Sequence, residues 1–265
     1  MKPFYFGSPE KSLFGIYHPP LTGHHPGHGV VLCHPLGHEY IYGHRAFRQL
    51  AIHLARAGFA VLRFDYYGCG DSAGASEEGS IHQWIDDIET ALKELKECNK
   101  MSKLYLIGAR IGATLAALVG DQRSDINGLA LWDPVLNGTN YVRELLAQHE
   151  DWLRQAWVET AAPKKNDRHP EALGFPLTHP LQDSLEQINL LSMPLRSTGP
   201  VLVVESGEAS AALGLSNHFT GADGCVEYRH SAAPQVWSRK RGGDNALVPS
   251  EVLQSITAWM SRIAK

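Results

Sequence analysis

The chain has 265 residues, of which 43% are hydrophobic and 20% are charged. This length suits one large α/β domain, and the composition is that of an ordinary globular protein whose core needs no disulfide or metal for stability. The formal net charge of -4 gives the chain no electrostatic reason to bind nucleic acid or an anionic membrane. We expect no cofactor and no metal, and the composition leaves the oligomeric state open.

The four cysteines are scattered and form no C-x-x-C pair; they are Cys33, Cys69, Cys98 and Cys225. The N-terminal segment MKPFYFGSPEKS lacks the apolar core of a secretory signal. A disulfide framework is not expected in a chain of this size without such a signal. No stretch approaches the roughly 18 apolar residues of a membrane-spanning helix. The expected location is the cytoplasm.

Strands and helices alternate along the chain after an edge hairpin within residues 1–20. Short, wholly apolar runs are typical of buried parallel strands, and apolar residues at helical spacing indicate amphipathic helices. The predicted strands are 30–33, 59–64, 104–107, 129–132, 201–204 and 226–228, and the predicted helices are 44–57, 84–95, 111–119 and 253–263. This alternation predicts an α/β fold with a doubly wound, mostly parallel sheet.

One interval, residues 137–199, interrupts the alternation. It contains two helical patterns and the polar stretch APKKNDRHPE, and no strand is predicted in it. An insertion of this size after a strand is typical of a cap over the active-site end of a sheet. We therefore predict a single domain, 1–265, with a cap insertion at 137–199. Four side chains at helical spacing are expected in the cap core: Tyr141, Leu145, Trp152 and Trp157.

The segment KLYLIGARIGATLA joins a predicted strand to a predicted helix through a glycine-rich turn. Gly108, Arg110 and Gly112 have the spacing of G-x-S-x-G, in which a strained turn with positive φ points its middle residue into a pocket. Arg110 stands where that pattern has serine, and Ile111 follows it as a pocket residue. Two alternatives are a glycine-rich turn with a surface arginine and a dinucleotide-binding loop, which belongs after the first strand of its fold.

Two further loops are expected beside this turn. CHPLGHEY follows the first buried strand, where an oxyanion-hole loop belongs, and supplies His34, Leu36 and Gly37. FDYYGCGDSAG follows the second and supplies Cys69 and Asp71. Cys69 is either a surrogate nucleophile or a small residue between two glycines. Asp71 is a possible pocket residue.

The chain resembles the exosortase A system-associated hydrolases and their relatives among the serine aminopeptidase-like α/β hydrolases. The segments that carry the resemblance are LCHPLGHEYIYGHRAFRQLA, LRFDYYGCGDSAG, LIGARIGATLA, LALWDPVLNG and EALGFPLTH, which lie between residues 30 and 180. The resemblance implies the α/β-hydrolase fold with a cap, and an arginine in the elbow as a feature of the group. It implies no substrate, since an activity inferred from a fold is an analogy.

The remaining members of a Ser-His-Asp triad are not found in register. After strand 201–204 the nearest acids are Glu205 and Glu208, and Asp133 occupies an alternative acid position. The expected histidine position after strand 226–228 coincides with residues such as Trp237. Without a serine nucleophile, the oxyanion hole cannot start the reaction.

Arg110 adds a full positive charge to the positive N-terminal end of a helix and to the oxyanion-loop amides, so an anion is expected beside it. The anion is either an internal carboxylate or a ligand carboxylate or phosphate. Four internal partners are possible, namely Asp133, Asp71, Glu39 and Glu205. Our hypothesis is an ion pair with Asp133 or Asp71.

Three functions follow from these patterns. The first is a hydrolase-fold pseudoenzyme, without a triad, that binds or transforms a small anionic or acyl substrate through Arg110. The second is an active ester or thioester hydrolase with a non-standard nucleophile such as Cys69 or a water molecule. The third is a non-catalytic interaction protein whose pocket is closed by an internal salt bridge.

Overall fold

The structure is a computed structural model, and it describes residues 1–97, 100–155, 171–193, 195–197, 199–207, 215, 219–220, 226–237 and 248–265. Four residues named above lie outside these ranges, namely Cys98, Trp157, Glu208 and Cys225. The strands are β1 (Lys2–Phe6), β2 (Leu13–His18), β3 (His28–Cys33), β4 (Ala60–Phe64), β5 (Lys103–Ala109), β6 (Ile126–Trp132), β7 (Glu171–Ala172), β8 (Phe175–Pro176), β9 (Leu195–Arg196), β10 (Val201–Ser206), β11 (Phe219–Thr220) and β12 (Val226–Ser231). The helices are α1 (Gly37–Ala57), α2 (Ile81–Glu97), α3 (Ile111–Gln122), α4 (Gly138–Gln155), α5 (His179–Glu186) and α6 (Ser250–Ile263).

The central sheet has eight strands in the order β1-β2-β4-β3-β5-β6-β10-β12. The pairs from β4 through β12 are parallel, whereas β1 with β2 and β2 with β4 are antiparallel. The first β-strand pair is the predicted edge hairpin. Order and direction confirm the doubly wound, mostly parallel sheet, with β5 near its centre.

Helices cover both faces of the sheet, as buried apolar strands require. One face packs against α1 and α6 through side chains such as Phe47, Leu50 and Trp259. The other face packs against α2 and α3, which are joined there by α4 and α5. The core is therefore divided into two layers by the sheet. Among the described helices, none combines the length and apolar composition that a membrane crossing requires.

Helix α1 begins two turns before the predicted start at His44. Its first turn contains Gly37, His38 and Glu39, which no apolar periodicity marks, although the side chains of His38 and Glu39 are buried. The predicted loop after β3 is therefore shorter than expected. This shift moves Glu39 from a loop to the start of a buried helix.

The segment 137–199 contains α4 and α5, in agreement with its two helical patterns. The expectation that it contains no strand is wrong, because β7 and β8 form a small antiparallel hairpin and β9 pairs with β11. Each of these strands has only two residues, which is too short to give a period-2 pattern. The role of this segment as a cap stays a prediction.

Candidate functional site

The turn between β5 and α3, residues 108–112, is called the elbow turn here. Arg110 has φ 52° and ψ -126°, a backbone conformation that costs energy for any residue with a side chain. Its amide donates to the carbonyl oxygen of Trp132 at 3.0 Å, and its own carbonyl oxygen accepts from the amide of Ala113 at 3.0 Å. The positive φ predicted for this turn is confirmed, and its backbone is fixed to β6 and to α3.

Both glycines of the elbow turn are required by close backbone contacts. A Cβ atom on Gly108 would lie 2.4 Å from the carbonyl oxygen of Gly112. A Cβ atom on Gly112 would lie 2.3 Å from the carbonyl oxygens of Cys33 and His34. The turn therefore packs directly against the end of β3, so that the loop after β3 lies beside Arg110.

The guanidinium of Arg110 forms two ion pairs. Its Nε donates to Oε1 of Glu39 at 2.7 Å, and its Nη2 donates to Oε2 of Glu144 at 2.8 Å. The side chains of Arg110 and Glu39 are 10% and 2% exposed, whereas that of Glu144 is 45% exposed. The arginine thus joins the first turn of α1 to the middle of α4.

Tyr141 completes this network from α4. Its hydroxyl donates to Oε2 of Glu39 at 2.8 Å, and its ring lies 5.3 Å from Cζ of Arg110. Burial by itself would lower the pKa of the Arg110 guanidinium, but the charges of Glu39 and Glu144 outweigh burial and raise this pKa. Burial and the Glu39 charge raise the pKa of Tyr141 well above its usual value. The network therefore holds one cation, two carboxylates and a neutral phenol.

The hypothesis that Arg110 pairs with Asp133 or Asp71 is wrong. Both oxygens of Asp133 accept from Ser206, one from its amide at 2.6 Å and one from its hydroxyl. Burial raises the pKa of Asp133 to about 7, against the opposing effect of the Ser206 hydrogen bonds and the Arg110 charge. Asp71 is exposed, and its amide donates to Asp65. Of the four carboxylates considered, Glu39 alone is in contact with Arg110, because α1 begins early enough to bury it.

The other residues proposed for the triad positions lie at the ends of β6, β10 and β12. The Tyr228 hydroxyl donates to the buried carboxylate of Glu205. Trp237 is buried, and its ring centroid lies 4.7 Å from that of Trp132. The position after β12 at which a triad histidine was expected is thus occupied by the buried ring of Trp237.

A pocket of about 930 Å³, measured out to its open mouth, lies beside the elbow turn. It is enclosed by the loop after β3, the loop after β4, and side chains of α4, α5 and the β7–β8 hairpin. Its lining is mainly aromatic and aliphatic: Leu36, Tyr40, Phe64, Tyr66, Trp84, Tyr141, Leu145, Phe175, Leu177, Leu181 and Leu185. A concave, mainly apolar lining with a few polar groups is typical of sites for small organic molecules.

The structure brings some of the predicted site residues to this pocket and not others. The lining includes His34, Leu36, Gly37 and Cys69. The lining does not include the elbow residues, the candidate acids or the residue at the expected histidine position, namely Gly108, Arg110, Ile111, Gly112, Asp71, Asp133, Glu205 and Trp237. Tyr141 lies between the two sets. It lines the pocket, and it also contacts Arg110.

The polar groups of the pocket carry little positive charge. Burial and the Arg63 charge hold the pKa of His34 well below its usual value, and burial lowers the pKa of His38. Both rings are therefore neutral near pH 7. The Tyr40 hydroxyl donates to Oδ1 of Asp65 at 2.8 Å, so the carboxylate of the lining is already hydrogen-bonded.

Cys69 lies at the pocket but is poorly activated. Burial, followed by the charges of Asp65 and Asp87, raises the pKa of its thiol to about 12. Only a thiolate is a good nucleophile, and about one thiol in 10⁵ is ionised at neutral pH with this pKa. Cys33 and Cys69 are both free thiols.

Several residues of the site were missed in the sequence. Glu144 was missed because it lies 34 residues from Arg110, although it follows Tyr141 by three positions on one helix face. Tyr40 was missed because the predicted start of α1 left it in a loop, and Tyr66, which follows β4, had no motif that marked it. Within the described ranges, no group of three or more His, Cys, Asp and Glu side chains is placed to bind a metal ion.

A family model described as Serine aminopeptidase, S33, matches residues 24–173, which is more than half of the chain. The chain belongs to this family. The match includes the elbow turn, both loops beside it and the whole of α4. No curated protein sequence gives a significant match.

Solved structures of α/β hydrolases share the fold over their full length. A putative hydrolase from Agrobacterium vitis has a TM-score of 0.64 and 18% identity, with 100% of this chain and 98% of that chain covered. Est1E from Butyrivibrio proteoclasticus, with ferulic acid bound, has a TM-score of 0.67 and 17% identity over 99% and 100% of the two chains. A proline iminopeptidase from Mycobacterium smegmatis has a TM-score of 0.65 and 13% identity over 99% of each chain. At these identities the likeness establishes the α/β-hydrolase fold.

Proposed function

We propose that this family member has no serine-hydrolase chemistry and that it binds a small, uncharged acyl or aryl molecule in the pocket beside the elbow turn. In this proposal, Arg110 occupies the position at which serine hydrolases of this fold have their nucleophile. The positive φ of Arg110, its place between β5 and α3, and the two tightly packed glycines support that assignment. The likeness to exosortase A system-associated hydrolases and the cytoplasmic location belong to the same proposal.

The observation that carries the proposal is the pairing of Arg110 with Glu39 and Glu144. The two carboxylates exceed the single cation in charge, so the network has no surplus positive charge for an anionic ligand. Arg110 is also outside the pocket lining. The sequence-based hypothesis of an anionic substrate held by Arg110 therefore loses its main support. The hypothesis of an acyl substrate does not depend on a positive charge and is retained.

The pocket lining supports a ligand that is mostly apolar. Its aromatic and aliphatic side chains surround a few polar groups, which are two neutral histidines and the Tyr40–Asp65 pair. Burial of apolar surface would provide most of the binding free energy, and the polar groups would orient the ligand. An anion would lie near the Asp65 carboxylate without a cation in the lining to offset it.

The position of Cys69 in the pocket lining favours a second candidate, an ester or thioester hydrolase with a cysteine nucleophile. That candidate needs a base that lowers the thiol pKa, whereas burial and two carboxylates raise it. The third function, a non-catalytic interaction protein with a closed network around Arg110, remains the alternative if no ligand binds.

A thermal-shift screen with paired compounds tests the proposal. Neutral aryl esters and amides are compared with the corresponding free carboxylates, on wild type, Phe175→Ala and Phe14→Ala. Both phenylalanines are half-buried, but only Phe175 lines the pocket. We expect the neutral compounds to raise Tm in wild type and Phe14→Ala but not in Phe175→Ala. A neutral ligand at 100 times its Kd adds about 2.7 kcal/mol of stability.

Three outcomes would count against the proposal. Stabilisation by carboxylates that Arg110→Ala abolishes would restore the anion hypothesis. Turnover of the esters that a thiol alkylator stops would favour Cys69 as nucleophile. If no compound shifts Tm, the interaction-protein alternative takes first place.

A further inference from the structure

A second arginine, Arg63 of β4, is buried in the described chain and has no carboxylate partner. Arg63 and Arg110 are 4% and 8% exposed. Arg110 has two ion pairs, whereas the described residues offer Arg63 a single hydrogen bond, from its Nε to Nε2 of His18 at 3.3 Å. A buried guanidinium without a counter-charge destabilises the folded state. Because Arg110 has two ion pairs and Arg63 has none among the described residues, we expect another group to pair with Arg63.

The hydrogen-bond partner of Arg63 does not supply a negative charge. Burial, together with the charge of Arg63, lowers the pKa of His18 to about 4, so this ring is neutral at physiological pH and accepts the bond. Asp65, which directly follows β4, has both carboxylate oxygens engaged, one by Tyr40 and one by the amide of Asp71. Asp65 reduces the local positive potential without contacting the guanidinium.

The surroundings of Arg63 add positive charge. In the antiparallel register of β2 and β4, His18 is paired with Val61 and Ile16 is paired with Arg63. The side chains of His18 and Arg63 therefore lie on the same face of the sheet. Helix α1 packs on that face, and its exposed residues His44 and Arg48 are one turn apart. After burial and Arg63, the Arg48 charge also lowers the pKa of His18. Burial and the Arg63 charge lower the pKa of His44, so this ring is neutral near pH 7 and the positive charge next to Arg63 comes from Arg48.

The terminal nitrogens of Arg63 remain available to a ligand. No hydrogen bond of the described chain uses them, and they are not among the buried polar atoms that lack a partner, so they retain contact with solvent. A guanidinium with two free terminal nitrogens presents a planar pair of donors, which matches two oxygens of one anion. Arg48 is positioned to add a second charge from the rim.

We propose that Arg63, Arg48 and His44 form a binding site for a small oxyanion, such as phosphate or a phosphate ester, at the α1 side of β2 and β4. None of these three residues lines the pocket beside the elbow turn, and the inference goes beyond the proposed function. The bound oxyanion supplies the counter-charge that Arg63 lacks. Binding therefore stabilises the N-terminal edge of the sheet.

Titration calorimetry with inorganic phosphate tests this site, at neutral pH and constant ionic strength. The variants are Arg63→Gln, Arg48→Gln and, as matched control, Arg56→Gln, which removes an exposed arginine from the last turn of α1. We expect Kd to rise about tenfold or more in Arg63→Gln, less in Arg48→Gln, and not at all in Arg56→Gln. Circular dichroism checks the fold, and the exposed Arg48 variant decides the test if Arg63→Gln does not fold.

Three results would overturn the proposal. The first is no heat of binding in wild type at millimolar phosphate, and the second is equal phosphate affinity in wild type and Arg63→Gln. The third is a loss of phosphate affinity in Arg56→Gln as large as that in Arg63→Gln, which would indicate diffuse attraction. A stability measurement provides an independent check. Phosphate stabilises many proteins by exclusion from their surface. The site therefore accounts only for the part of the phosphate-induced rise in Tm that is lost in Arg63→Met and retained in Arg56→Gln.

Discussion

Nε of Arg110 lies 2.7 Å from Oε1 of Glu39, in an ion pair that is almost completely withdrawn from solvent. The arginine comes from the strained turn after β5, and the glutamate comes from the first turn of α1. A buried pair of this kind does not have to stabilise the fold relative to apolar side chains, but removal of one partner leaves an uncompensated charge. The pair therefore makes two distant segments depend on each other.

The two carboxylates that bind Arg110 are expected to differ in their contribution to stability. Glu39→Gln should lower the free energy of unfolding by about 3–5 kcal/mol, because it leaves Arg110 paired only at the surface. Glu144→Gln should cost about 0–1 kcal/mol, because that side chain is 45% exposed and its ion pair is screened by water. Urea unfolding at neutral pH measures both, and an equal or larger loss for Glu144→Gln would contradict the assignment of Glu39 as the main partner.

Asp133 is expected to make the protein less stable as the pH rises. Burial raises its pKa in the folded state to about 7, above the usual value near 3.8. Between these two values the folded state holds a proton that the unfolded state has lost, so stability falls from about pH 4 to about pH 7 and then levels. The upper limit of this loss is about 4 kcal/mol.

Asp133→Asn removes this titration and keeps an oxygen that can accept from the Ser206 amide. Unfolding free energies at about pH 5 and about pH 8 should therefore differ less in the variant than in wild type. If the unfolding free energy changed by the same amount between these two pH values in wild type and in Asp133→Asn, Asp133 would titrate in the folded state near its usual pKa.

Much of the fold was predictable from the sequence because its central strands are wholly apolar. Runs such as Val30–Cys33 and Leu104–Ile107 have no polar face, and only a sheet covered on both sides buries them. The elbow turn was predictable because two glycines at fixed spacing mark a backbone that a Cβ atom would block. Local signals of this kind need no knowledge of distant residues.

The partners of Arg110 were not predictable in the same way. The start of α1 has no apolar periodicity, so Glu39 was considered only as one of four acids in loops. Glu144 belongs to α4, and its contact with Arg110 depends on how that helix packs against the sheet. The pocket likewise depends on α5 and the β7–β8 hairpin, whose two-residue strands have no sequence signature.

Two helical glycines should respond in opposite ways to the same substitution. Gly112→Ala should cost about 2–4 kcal/mol, because its Cβ atom would lie 2.3 Å from backbone oxygens of the loop after β3. Gly43→Ala should be neutral or add about 0.5–1 kcal/mol, because its nearest neighbour is Pro35 at 3.4 Å and alanine favours a helix. Thermal unfolding of the two variants checks this, and equal losses would mean that the elbow turn does not pack against β3 as described.

The Cys69 thiol should react slowly despite its position at the pocket. With a pKa of about 12, its thiolate fraction at neutral pH is lower than that of an ordinary cysteine by about three orders of magnitude. Alkylation rates measured on wild type and Cys69→Ser by mass spectrometry identify the modified residue. Rapid labelling at Cys69 at neutral pH would show that a base activates it and would strengthen the cysteine-hydrolase candidate.

A serine placed at position 110 of the elbow turn should not give hydrolase activity. Serine attacks an ester only when a base takes its proton, and the base is a histidine in the usual triad. No histidine follows His230 in the sequence, and both oxygens of Asp133 bind Ser206 rather than an imidazole. The test compares Arg110→Ser with Arg110→Ala, each combined with Glu39→Gln so that no buried carboxylate is left unpaired. We expect equal, background hydrolysis of a chromogenic acetate ester and no labelling by a fluorophosphonate. Faster hydrolysis by the serine variant alone would reveal a working base beside the elbow turn.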